Sequence, residues 1–479
     1  MPEEIKTCQG QIWDPSIYTF KTCNRPLYDD KHCICHSDDP DKDIEKFRTE
    51  VQKQLDREDY HDFTEFVFPK DFNFRETEFK HDVYFRLAKF GGKADFYSAK
   101  FDGDANFYHA KFDGDANFYH AEFGGEASFY EAEFGGEASF YEAKFGGEAY
   151  FLSTKFDGQA NFGEAKFGGN ANFWNTKFDG EIDFRWAGFG GKADFISATF
   201  KKTVNFKWMS LSEKTIVRFD GENNKKDEPV FQDTADFSSI RIPEDAEIVF
   251  RKINLSKCEF LETDLTKVEF IDVNWAKTGG IFKWFKTNAV YDAVKNGKNG
   301  KYDYDLIAQL YRRLQINYIG KCFYSEAGDF HIGEQEMARK GKGEFSRFFC
   351  TNMFYKLISY YGESFILPLF WLALILILFP ALFLYSGIDL QSSSEPAKNN
   401  PPVVRYEFSP NPADCFLLTE NYKKAFYKNF SFISFNRSEI DKCLVSLDMR
   451  FFANLEIIIV IVLLSFFVLA LRRPYKRHI

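Results

Sequence analysis

Ala94-Asp95-Phe96-Tyr97-Ser98-Ala99-Lys100-Phe101-Asp102-Gly103-Asp104 is an eleven-residue unit that the chain repeats, with small changes, from Phe90 to Phe206. One phenylalanine ladder runs Phe96, Phe107, Phe118 and onward at this step to Phe206; a second runs Phe90, Phe101, Phe112 to Phe200. The ladders interleave at steps of 6 and 5. A helix of period 3.6 would scatter such residues around its whole circumference, so a helical reading fails. A short fixed period means that each unit buries its apolar face only by stacking on its neighbours, which describes a solenoid. Alanine stands two residues before each first-ladder Phe (Ala94, Ala105, Ala116), and alternating small with large fills a narrow cylinder. Glycine recurs at one corner (Gly103, Gly114, Gly125, Gly136, Gly147, Gly158), where a tight turn is expected to need positive φ. The sixth residue of the longer step is expected to bulge there.

Farther along the step tightens to 5: Leu255, Phe260, Leu265, Phe270, Trp275, each preceded two residues earlier by Ile253, Cys258, Thr263, Val268, Val273. From about Phe63 to Trp275 the chain resembles the pentapeptide-repeat family. The resemblance implies a mainly β fold, a right-handed quadrilateral β-helix, with about 22 residues per coil in the first region and 20 in the second. Coils ~4.8 Å apart would make a rod of roughly 45 Å.

Net charge is -10 over 479 residues, and Gly91 to Phe200 holds 18 acidic against 9 basic residues. This balance argues against a nucleic-acid binder. It fits a solvated face that keeps a Phe-rich rod soluble; the rival is the nucleic-acid mimicry known among soluble relatives. His109 and His120 occupy identical repeat positions, which marks them as copies and not as a site.

Residues 1–50 hold Cys8, Cys23, Cys33, Cys35 and His36. Cys33 and His36 are three apart, and Cys8 and Cys23 complete a Cys3His set that suits a structural Zn2+. The segment resembles the Cys-x-x-His knuckles that precede the repeats in many family members. Cys35 is an alternative to Cys33 as a ligand. Nothing upstream reads as a signal peptide, so a disulfide scaffold is disfavoured.

Residues 51–62 read as a helical linker and 63–276 as the β-helix. In 277–345 two helical patterns, 305–314 and 325–337, resemble the antiparallel helix pair that follows the repeats in membrane-bound relatives. His331, Glu334 and Glu336 there read as a solvated helix face, with a metal or acid–base role as the sharper alternative. Residues 346–386 contain a basic flank and a charge-free run from Phe365 to Tyr385, long enough to span ~30 Å of hydrocarbon. A second apolar run, 451–471, precedes a basic tail at 472–479. Arg339, Lys340, Lys342, Arg347 and Lys356 before the first, and Arg472, Arg473, Lys476 and Arg477 after the second, place both ends in the cytoplasm by the positive-inside rule. The expected location is therefore the inner cell membrane, with the loop 387–450 outside and Cys415 and Cys443 there able to pair.

Two spans around a re-entrant-like segment, Phe426 to Phe435, resemble two-helix potassium-type channels. The glycine-rich filter of those channels is missing, so potassium selectivity is not supported. Glu456, at the entry of the second span, would ring the outer mouth of any pore, or else sit at the interface as the helix starts. No catalytic pairing or phosphate loop stands out. The expectation is a non-enzymatic, membrane-anchored scaffold or sensor with the lipid bilayer, an unknown protein on the rod faces and further copies of itself as partners, and no nucleic acid. An oligomeric pore governed by the rod is the rival.

Overall fold

The computed structural model describes residues 7–222, 230–279, 286–299, 303–342, 347, 350–386, 388–389, 403–404, 412–433 and 447–475. The chain divides into two compact units, Met1–Lys321 and Cys322–Ile479.

The first unit is a four-sided β-solenoid. Strands mostly two residues long stack into parallel sheets of 7, 10, 7 and 9 strands. Ala105 pairs with Ala127 and Lys111 with Glu133, so one coil takes 22 residues. Near the end Phe250 pairs with Phe270, the shorter coil that the five-residue step predicts. Between these regions Phe219 pairs with Phe250, and that coil is enlarged.

Each coil sends four phenylalanines inward, and the rings form four columns. In one, Phe118, Phe140 and Phe162 stack with centroids 4.9 Å apart and planes within 2°. Neighbouring columns meet edge to face, as Phe129 meets Phe140 at 5.3 Å and 85°, an orientation that suits the ring quadrupoles. A small residue precedes the second ladder as well (Ala99, Ala110, Ala121), and all of these are fully buried. Where threonine takes that place its hydroxyl is satisfied: Thr154 and Thr176 donate to the carbonyls of Phe129 and Phe151 at 2.7 and 2.6 Å.

The corners differ from the sequence expectation. Positive φ falls on the second residue after each first-ladder Phe and not on the glycines: Ser98 at 51°, His109 at 53°, Glu131 at 56°, Trp186 at 61°. The Ala110 N–H donates to the Phe107 carbonyl at 3.0 Å across His109, which makes a type II turn. A non-glycine residue there costs about 1 kcal/mol or more of backbone strain. The coil stack holds it, since the His109 N–H also donates to Tyr130 O of the next coil at 3.0 Å. The recurring glycines meet a different demand. A Cβ on Gly147 would lie 2.4 Å from the Gly125 carbonyl oxygen, and one on Gly114 2.7 Å from the backbone of Gly92. At this corner successive backbones touch, and only hydrogen fits. The extra residue of the six-residue step is absorbed there, in Asp102-Gly103-Asp104 between two strands.

Many acidic groups serve the rod itself. Asp82, Asp104 and Asp115 each accept the backbone N–H one coil on, from Asp104, Glu126 and Glu137, at 2.8–2.9 Å. His109 and His120 face Glu131 and Glu142, again one coil away.

A solenoid's last coil has unpaired strand edges, which invite another chain unless covered. Here helices α2 (Tyr291–Asn299) and α3 (Tyr304–Gly320), numbered after α1 (Ile44–Leu55), cover it. Phe237 and Ser239 give their N–H groups to the following coil, whereas Phe260 and Leu261 give theirs to the buried carboxylate of Asp292 at 3.1 Å. Asn317 donates to the carbonyls of Leu265 and Val268 at 2.7 Å, and Arg313 to that of Thr263 at 2.9 Å. Sequence reading had no place for α2.

Burial pushes the Asp292 carboxyl up to about 7 from 3.8. The folded unit then holds this proton more tightly than the unfolded chain does. The stability it supplies is complete below about pH 4 and is lost as pH rises toward 7, at roughly 1.4 kcal/mol per pH unit. Denaturant unfolding of residues 1–321 is expected to show a loss on the order of 2 kcal/mol between pH 5 and pH 7.5 that Asp292→Asn removes. The same pH slope in both proteins would refute the assignment.

The second unit is helical: α4 (Tyr324–Lys340), α5 (Thr351–Ser359), α6 (Ile366–Ser386), α7 (Pro412–Ile433) and α8 (Leu447–Tyr475). Two stretches, Ile366–Tyr385 and Arg450–Leu471, are long and apolar enough to cross a membrane. Phe383, Leu384, Ala425, Ala453 and Ile457 form their shared core with α7, and the Tyr422 hydroxyl donates to Ile377 O at 2.7 Å. The two helices anticipated after the repeats both form, but α3 belongs to the first unit and α4 to the second. The side chains of Cys415, Cys443, Arg472, Arg473, Lys476 and Arg477, and the end of the re-entrant-like segment, lie outside the described residues.

Candidate metal centre

The N-terminal knuckle is built on a hairpin, Gln11–Asp14 paired with Thr19–Thr22, followed by a loop that turns back at Cys33. Cys8 enters just before the hairpin and Cys23 leaves just after it. Backbone bonds from the His36 and Ser37 N–H groups to Cys33 O, at 3.1 and 3.0 Å, close the turn that brings Cys33 and His36 to one side.

These four side chains converge. Their ligand atoms all lie within 4.8 Å of one another, and all four residues are buried. Cys8 Sγ lies 3.2 Å from His36 Nδ1, Cys33 Sγ 3.5 Å from the same nitrogen, and Cys23 Sγ 4.0 Å from Cys33 Sγ. Tetrahedral bonds of about 2.3 Å to sulfur and 2.0 Å to nitrogen would set such edges at roughly 3.5–3.8 Å. The cage is of the right size for a metal ion.

Its surroundings match. His36 Nε2 faces the Thr64 carbonyl at 3.2 Å, which fixes the proton on that nitrogen and leaves Nδ1 as the donor atom. Cys8 Sγ accepts the Cys33 and Gly10 N–H groups at 3.1 and 3.4 Å, and Arg25 Nη1 donates to Cys23 Sγ at 3.7 Å. A Cβ on Gly10 would fall 2.1 Å from His36 Nδ1, so any side chain there would displace that ligand. Three thiolates and one divalent ion leave a charge of -1, and Arg25 and the buried Lys42 stand close enough to offset it. Burial drives Lys42 down to about 8, and its ammonium is held by the carbonyls of Ile34 and Ser37 at 3.0 and 2.7 Å. Without a cation the crowding is unfavourable for thiolate: the hydrogen bond with Cys33, then burial, pushes Cys23 up to about 11.

Cys35 is buried too but stands outside this foursome, and its backbone does a different job: its carbonyl takes the Val67 N–H at 2.8 Å. With the His36–Thr64 bond and the Gln11 N–H to Glu65 Oε2 bond at 2.7 Å, that contact seats the knuckle on the first coil. Phe47 of α1 packs edge-on against Phe68 and Phe72 beside it. The knuckle and α1 therefore cover the first coil as α2 and α3 cover the last.

Among the described residues this is the one such group. Glu336 is instead held between Arg339 Nη2 at 2.6 Å, Lys356 Nζ at 3.0 Å and the Tyr361 hydroxyl at 2.9 Å. Glu456 lies in the helical unit, packed against α7. It has no exposed surface and accepts a hydrogen bond from Asn429 of α7 at 2.8 Å.

A family model described as Pentapeptide repeats (9 copies) matches residues 63–111, 74–122, 96–144, 118–166 and 140–185. Successive windows start one unit or one whole coil apart, which is the periodicity of the ring columns. No curated protein matches the chain significantly.

Proposed function

Since residues 63–185 are pentapeptide repeats, we infer that the chain is a non-enzymatic scaffold or sensory module, anchored in a bacterial or archaeal inner membrane through α6 and α8. Proteins of this solenoid type are generally not enzymes. The observation that carries the reading is the pairing of a rod closed at both ends with two apolar helices of spanning length. A closed rod cannot recruit strands, so it meets partners through its flat faces, where Trp174, Trp186 and Trp208 are exposed. The ion in the knuckle is Zn2+, favoured by the Cys3His donors and tetrahedral edges, and its role is structural, because all four positions are filled by protein. Much of the rod's acidity is taken up by its own hydrogen bonds, which supports a solvated face over nucleic-acid mimicry.

The basic flanks put both ends in the cytoplasm. The test is labelling of intact cells with an impermeant maleimide, in a background without Cys322, Cys350, Cys415 and Cys443. A cysteine placed at Asn400 is expected to react from outside, whereas Ser98→Cys reacts only after permeabilisation. Labelling of Ser98→Cys in intact cells would overturn the topology.

A further inference from the structure

Helix α5 is inside out. Two of its polar residues face the protein: the Asn352 amide donates to Gln335 of α4 at 3.3 Å, and Lys356 pairs with Glu336 at 3.0 Å. Its apolar residues Phe354 and Leu357, one turn apart, face away from it and are 55% and 39% exposed. A short helix in water would hide those two and show the others. The exposed stripe leads, after a left-handed turn at Tyr360 and Tyr361, to Phe365, Ile366, Leu369 and Phe370 at the start of α6, exposed in the same way. On its other side α5 rests on α8, with Tyr355 and Phe466 rings 5.8 Å apart, and Trp371 of α6 donates to Leu357 O at 2.8 Å.

A second observation stands beside the first. Lys340 stands among three further cations, Arg339, Arg347 and Lys356, and the carboxylate that acts on it is Glu336. Arg339 and Lys356 engage Glu336; burial first, then the neighbouring cations, lowers the Lys340 ammonium from its ordinary value. Arg347 Nε is buried without a partner among the described residues. The surplus positive charge lies at the polar side of a helix whose other side is greasy.

We propose that α5 is an interfacial helix, with Phe354 and Leu357 sunk to the acyl boundary and the Lys340–Arg347 pair taking the phosphates of anionic phospholipids. The occupant is the bilayer surface, because the apolar stripe continues into a spanning helix and the cations beside it outnumber the one carboxylate that acts on Lys340. The Glu336–Arg339–Lys356–Tyr361 network then clamps α4 to this surface helix. The proposal rests on the membrane reading above, and the test separates the two.

Full-length protein in vesicles of phosphatidylethanolamine with phosphatidylglycerol would carry a spin label at Phe354→Cys, Leu357→Cys, Leu369→Cys or Ser98→Cys. Power saturation with oxygen and with a water-soluble nickel chelate gives depth. Labels at 354 and 357 are expected just below the phosphate level, at the acyl boundary, that at 369 deeper, and that at 98 in water. Replacing phosphatidylglycerol by phosphatidylcholine should move 354 and 357 toward water and leave 369 unchanged, and Lys340→Gln with Arg347→Gln should do the same in anionic vesicles. Labels at 354 and 357 as wet as that at 98, with 369 in lipid, would overturn the interfacial helix alone. A wet label at 369 would overturn the membrane reading and this proposal with it. Depths that ignore lipid charge would overturn the phosphate contact.

Discussion

Phe140→Ala is expected to cost the rod about 3–5 kcal/mol, near the top of the range for a core truncation. The ring is fully buried, lies between Phe118 and Phe162, and is flanked edge-on by Phe129 and Phe151. The strands above and below are pinned by hydrogen bonds at every step, so the walls cannot collapse into the vacancy. Tyr141→Ala, one residue on, removes a ring stacked 5.2 Å from Tyr119 on the surface and should cost no more than about 1 kcal/mol. Unfolding of residues 1–321 by guanidinium measures both. Equal losses would mean that the inward and outward positions are wrongly assigned.

The second large effect is expected at the knuckle. Apparent binding energies of about 10–16 kcal/mol per ion are ordinary for thiolate–imidazole zinc sites, more than a segment of this size gains from its own small core. Elemental analysis of the freshly purified, reduced protein should give about one zinc per chain. Cys23→Ser, Cys33→Ser or a strong chelator should remove it, expose residues 7–40 to protease and lower the midpoint of the first coils. Cys35→Ser should keep the metal. Gly10→Ala should weaken it although it deletes no ligand. Absence of metal from the wild-type protein, or its retention after Cys33→Ser, would sink the site.

Much of the rod could be read from the chain because each buried position is repeated many times, and repetition averages out local accidents. The inward ladders, the coil length and the change to a five-residue step follow from spacing alone. The glycine corner was misjudged because two demands, positive φ and a close backbone approach, select the same residue. In the folded rod Gly114 answers the second while His109 bears the first. That Cys8, Cys23, Cys33 and His36 would converge was legible from residue type and from the short Cys33–His36 spacing; that Cys33 and not Cys35 joins the group needed the turn geometry. Asp292 carried no signal, since its role depends on a strand edge 32 residues away in sequence. For Glu456 position along a span was readable, but not the direction in which it points.

The unit has eleven residues and the coil has 22, and this mismatch restricts how the rod can change in length. Gaining two units adds one storey of about 4.8 Å and leaves every later face looking the same way. Gaining a single unit would turn all that follows by half a revolution and carry the exposed tryptophans to the opposite side. Growth in pairs is silent in azimuth, and growth by an odd unit is a switch of heading. A lineage that slips one unit in its gene thus rotates its binding face while the inward ladders still stack phenylalanine on phenylalanine.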